Sequence, residues 1–160
     1  KRKTNENKKK KRVILKHHLI LRVVTKLLVG MIMLFGFYVQ FHGDYSPGGG
    51  FQAGIIMAAA IIIYGIVFDI NHAKRVLPPW FIHKMLAFGV LLYAFTGVIS
   101  FFSGLNFLDY NALSPHYPSH GQHYGIIAVE LGVGITVTGV MIAVYYAFGS
   151  RSSEISDEDW

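Results

Sequence analysis

His42-Gly43-Asp44-Tyr45-Ser46-Pro47-Gly48-Gly49-Gly50-Phe51-Gln52 separates two apolar runs, and how this stretch is read decides the fold. Proline fixes one backbone angle and removes a donor, while three consecutive glycines open conformations that other residues avoid. The chain can therefore turn sharply and start a new helix at once. One acid, Asp44, and one amide, Gln52, are then held at the boundary between apolar and polar surroundings. The stretch reads as a hinge between two membrane helices.

Working outward, segments without Asp, Glu, Lys or Arg run from Leu27 to Gly43, Tyr45 to Phe68, Met85 to Leu108, Tyr110 to Val129 and Leu131 to Ser150. A membrane span needs roughly 20 mostly apolar residues. The pattern predicts four helices, at Leu21 to Phe41, Phe51 to Phe68, Trp80 to Ser103 and His123 to Phe148. The whole chain is 52% hydrophobic and 15% charged, with a mean hydropathy of +0.41, too oily for an ordinary soluble domain. The fold class is an all-α integral membrane protein, divided into a basic tail (1–20), a four-helix membrane domain (21–149) and an acidic tail (150–160). No cysteine is present, which excludes disulfides and thiolate metal sites.

The net charge of +6 conceals an asymmetry: residues 1–26 carry +10 and residues 27–160 carry −4. A lysine-rich run before a span is a positive-inside signal that also meets anionic lipid headgroups, so a nucleic-acid role is not expected. The first run continues for about 20 residues without a small-x-small cleavage site and reads as a retained helix. The loop Asp69 to Pro79 holds Lys74 and Arg75, whereas the hinge and the stretch Gly104 to Gln122 hold no Lys or Arg. Both termini are therefore expected in the cytoplasm, with the hinge outside, in a multi-pass protein of the cell inner membrane. Aromatic residues at Phe37, Tyr38, Phe41, Trp80, Phe81, Phe101, Phe102, Tyr145 and Tyr146 fall at the interfaces this topology predicts.

Small residues recur at close-packing intervals: Gly30, Gly54 with Ala58, Gly97 with Ser100, Gly132 with Thr136, and Gly134 with Thr138. Gly139, seven residues after Gly132, extends one of these faces. Glu130 is the one acid inside a confident span, one or two turns into the fourth helix as predicted; it reads either as an ion or proton relay position or as an interhelical hydrogen-bonded acid. His123 lies seven residues earlier on the same face, about 10 Å away, within reach of a water-mediated relay or simply at the interface. His116, His120 and His123 have a metal-like spacing on a loose loop with no cysteine, and no metal or other cofactor is expected there. The hinge lacks the Gly-Lys-Ser/Thr ending of a nucleotide loop, and a nucleotide site is not expected. With one acid in its spans, the chain cannot supply a proton path alone and should be part of something larger.

The run from His42 to Gln52 with its Ser46-Pro47-Gly48-Gly49-Gly50-Phe51 motif, the alanine-rich helix ending at Phe68-Asp69, Asn106-Phe107-Leu108-Asp109-Tyr110, Gly121-Gln122-His123 and the stretch Val129 to Val137 resemble the B subunit of multisubunit Mrp-type sodium/proton antiporters, the MnhB family. The resemblance implies an accessory membrane subunit, without catalytic chemistry of its own, in a complex that exchanges cytoplasmic Na+ for external H+ and supports pH homeostasis. Its implied partners are the other membrane subunits of that complex and the lipid bilayer. It ties Pro47, Phe51 and the acid region of the fourth helix to transport or assembly; the acid here is Glu130, where relatives often carry Asp nearby. The lysine-rich N-terminus departs from the shorter tails of the family. Similar modules occur in membrane-bound hydrogenases and related respiratory complexes; a purely structural scaffold and an independent small channel are the other readings. The candidate ion-path or assembly residues are Asp44, Pro47, Gly48, Gly49, Gly50, Phe51, Gln52 and Glu130, with His42 and His123 secondary. Of these, Asp44, Phe51, Gln52 and Glu130 are expected to line an external vestibule, with the hinge level with Glu130 at the outer end of the fourth helix.

Overall fold

A computed structural model describes residues 2–43, 47–114 and 117–151, with side chains described from Leu19 onward except for Pro118 and Arg151. The described residues form α1 (Arg2–Phe41), α2 (Gly50–Phe68), α3 (Ile70–Val76), α4 (Pro79–Phe102), a 3-10 turn (Tyr110–Leu113) and α5 (Pro118–Arg151). Four helical segments, Leu19–Phe41, Gly50–Phe68, Pro79–Phe102 and Ser119–Ser150, are long and apolar enough to cross a membrane. The four predicted spans are therefore present. The Lys74 end of the molecule also contains the starts and ends of the membrane domain: Arg22 and Lys26 lie over Phe68, and Lys74 donates to Ser150 Oγ at 2.5 Å.

Local chemistry explains the boundaries. Gly49, with φ 136°, sits before α2 in a conformation that disfavours any Cβ, and its carbonyl accepts the first helical bond from Ala53 N at 3.1 Å. Pro78 is extended, as a residue before proline tends to be, and Pro79 opens α4 where its missing N–H costs nothing. α4 closes on Gly104, φ 76°, with Gly104 N bonded to Phe101 O and Leu105 N to Ser100 O, the two bonds of a Schellman motif. At Asp69, φ 88°, the chain leaves α2 and enters the short α3, an element the sequence reading treated as loop.

The helices do not close into a bundle. α1 packs on α2, α2 on α5, and α5 on α4, while α4 makes no sizeable contact with α1 or α2 among the described residues. The result is an open row in the order α1, α2, α5, α4. α5 is the shared wall, and its small residues serve both neighbours. A Cβ on Gly132 would lie 2.9 Å from Gly89 O on α4, and one on Gly139 3.1 Å from the Leu86 side chain. A Cβ on Gly54 of α2 would lie 2.8 Å from Gly134 O. The two small-residue pairs of the fourth helix thus face different partners. Gly30 has nothing within 4 Å and Gly97 meets the Phe107 ring, so these two do not mediate helix contacts within the chain.

α5 begins three turns before Glu130, not one or two. Hydrophobicity fades at His123, but Tyr117 O still accepts from His120 N and Gly121 N, so the helix continues through polar residues. The turn Asp109 to Leu113 docks on this extension: Gln122 Nε2 donates to Asn111 Oδ1 at 3.1 Å, and the Tyr110 ring fills the space left by Gly125. The hinge meets α5 at Glu130 and Gly134, well below that end. From Tyr93, level with Gly132, α4 rises nine more residues to Phe102, roughly 14 Å. The hinge is level with Glu130, as expected, but Glu130 is not at the outer end of the fourth helix, and that part of the expectation is corrected: the hinge lies at the foot of a wall made by α4, α5 and the 3-10 turn.

Candidate functional site

The site is where α1, α2 and α5 meet at the hinge. The Glu130 side chain leaves α5 and enters the hinge itself: a Cβ on Gly43 would fall on both carboxylate oxygens, and one on Gly49 would lie 3.3 Å from Oε1. The same Gly49 position lies 3.4 Å from Gln52 Oε1, which places the amide of α2 beside the acid of α5. Glycine backbone from both ends of the hinge, at Gly43 and Gly49, therefore lies against the carboxylate. Neither Glu130 nor His42 is a free group.

The remaining hinge residues shape this cradle. Gly48 folds back on α1, its Cβ position 2.9 Å from Val39 O. Gly50 presses on the α5 backbone; a Cβ there would collide with Glu130 O and lie 3.0 Å from Gly134 N. Pro47 is exposed at the turn. His42 lies over Tyr38, ring centroids 4.1 Å apart, with Nδ1 3.0 Å from Tyr38 O. Phe51 is 58% exposed and turned outward from the row. Asp44 lies outside the described residues, as does His116 of the histidine cluster. His123 is half-buried two turns beyond Glu130 on the same face of α5, in the part of that helix which rises past the hinge.

Gln40, which the sequence reading missed, and Thr138, read there only as a packing residue, continue the site inward. Gln40 of α1 is 6% exposed, and its Oε1 lies against Gly134, the next turn of α5 below Glu130. Gly50 O is 3.2 Å from the same Gly134 position. One turn further, buried Thr138 donates to Gly134 O at 2.7 Å and lies 3.2 Å from Gly54 O of α2. Glu130, Gln40 and Thr138 therefore form a polar seam running down the junction of α2 and α5. Among the described residues, no buried side-chain nitrogen or oxygen lacks a hydrogen-bond partner. Below Thr138 the seam ends in apolar packing of Ala58, Ile142, Ile82, Ala73 and Tyr146. The signal for Gln40 was available: it is the one amide in the uncharged run from Leu27 to Gly43.

Residues 20–143 match a family model described as a domain related to the MnhB subunit of Na+/H+ antiporter. The chain belongs to the MnhB family. It is 36% identical over 136 residues to a Staphylococcus haemolyticus protein provisionally named antiporter subunit mnhB2, covering 84% of this chain and 96% of that protein. A Staphylococcus aureus (strain Newman) protein of the same provisional name is 37% identical over 136 residues, covering 83% of this chain and 96% of its own length. The matched region holds all four spans to within a turn or two of the last, and with them the hinge, Gln40, Glu130 and Thr138. With four spans of this kind, the MnhB-family chain is a multi-pass protein of the cell membrane.

Proposed function

We propose that this MnhB-family chain is an accessory subunit of a multisubunit Na+/H+ antiporter and that its hinge cluster forms part of an ion path. The names of the related proteins favour an antiporter over the hydrogenase reading. The observation that carries the ion-path part is the Glu130 carboxylate, enclosed by Gly43 and Gly49 at the head of the Gln40–Thr138 seam. Ionisable groups within spans are costly, and they pair or line a wet path. The seam stops about halfway along α5, so it serves entry or exit, and other subunits carry the rest of the passage. The basic loop with Lys74 and Arg75 favours the cytoplasm for that end, which puts the hinge on the external side.

Glu130→Gln in the whole complex tests this. Antiport is expected to fall at least roughly tenfold, about 1.4 kcal/mol of barrier, with all subunits still co-purifying. Glu130→Asp keeps part of the activity. Unchanged antiport in an intact complex would leave only a scaffold, and loss of assembly would make Glu130 a structural latch.

A further inference from the structure

Two cations lie inside the first apolar span. Arg22 and Lys26, within Leu19–Phe41, are one turn apart on α1 and lean over the same ring, each 5.7 Å from the Phe68 centroid. Phe68 in turn stacks on Tyr64 at 4.7 Å. Both cations are exposed, and neither has an acidic partner among the described residues. Asp69, the acid that follows Phe68, accepts instead from Asn71 Nδ2 at 3.3 Å. Like charges one turn apart repel, and a cation in an apolar span is costly without a counter-charge.

The described residues supply no counter-charge, and the setting identifies the chemistry of one that fits. Phe68 ends α2, so the pair stands where the apolar span gives way to polar loop. One turn deeper on the same face, Gly30 has nothing within 4 Å and leaves a notch in the helix surface. We propose that Arg22, Lys26 and Phe68 bind the phosphodiester of an anionic phospholipid, with the phosphate between the two cations and an acyl chain passing the Gly30 notch. A zwitterionic lipid brings its own ammonium group and gains less from two positive side chains.

The test uses the purified whole complex in nanodiscs of mixed phosphatidylglycerol and phosphatidylcholine, with retained lipid read by native mass spectrometry. Wild type is expected to retain phosphatidylglycerol preferentially. The Arg22→Gln, Lys26→Gln pair reduces that preference roughly fivefold for each charge removed. Arg22→Lys with Lys26→Arg preserves it, and the basic tail is intact in every variant. Excess inorganic phosphate leaves the lipid in place; displacement by phosphate alone would mean a small-anion site and overturn the proposal. It is also overturned if the Gln pair retains phosphatidylglycerol as wild type does, including the case where a neighbouring subunit is lost instead, which would assign the counter-charge to that subunit's carboxylate.

Discussion

The two ends of the α2–α5 junction are built on opposite principles. At the Lys74 end, large side chains fill the space: Ile82, Ile142 and Tyr146 pack together, Tyr146 donates to Leu77 O at 3.1 Å, and the Lys74 ammonium lies 5.7 Å from the Tyr146 ring. At the hinge end the space is filled by backbone, and contact depends on the side chains that Gly43, Gly49 and Gly50 lack. A packed end can lose an atom and relax partly around the gap. A backbone-to-backbone end cannot gain one without moving a helix.

The sharpest way to break this contrast is Gly50→Ala. Its Cβ would meet the α5 backbone rather than a flexible side chain, and overpacking of that kind costs about 1–3 kcal/mol or more. The expected outcome is loss of the chain from the purified complex, while Gly30→Ala, which meets nothing, leaves its recovery at the wild-type level. Equal recovery of both variants would show that the hinge has slack. Tyr146→Phe tests the packed end with a smaller change: removing one hydrogen bond to Leu77 O lowers stability by about 1 kcal/mol, seen as a modest drop in the thermal midpoint of the complex. A drop as large as that of Gly50→Ala would erase the distinction.

The smallest effect lies above the hinge. Burial, with Tyr93 nearby as a lesser cause, raises the Tyr110 phenol above its ordinary 10.0. The folded state holds that proton more tightly than the unfolded state, so this contribution to docking of the 3-10 turn is complete below about pH 10 and is lost as pH rises through the folded value. The hydrogen-exchange protection factor of residues 110–113, with intrinsic base catalysis divided out, should fall only in that alkaline window, and Tyr110→Phe should remove that fall.

How far the sequence revealed this architecture follows from what each feature depends on. Long uncharged runs mark spans, and Pro47 with three glycines marks a turn, so the four helices and the hinge were legible. The row order was not, because α2, α4 and α5 are apolar on every side and no stripe points to a neighbour. Gly132 and Gly134 were recognised as packing residues, but which helix each meets depends on rotation about the α5 axis. The early start of α5 was missed because hydropathy records where lipid ends, and a helix can continue into water. α3 was missed because Ile70–Val76 is too short to show a period. Glu130 was legible as a charge in an oily run, whereas Gln40, uncharged and alone, matters only because α5 brings Gly134 to it.

α2 has one more consequence. At 19 residues it is the shortest of the spans, roughly 28 Å, close to the hydrocarbon thickness of a typical bilayer, while α5 runs for 34 residues. α2 therefore acts as the gauge that sets the height of the protein in its membrane. A bilayer a few ångströms thicker would draw the hinge and the Glu130 carboxylate beneath the headgroups, although the first turns of α5 would still stand clear of the surface.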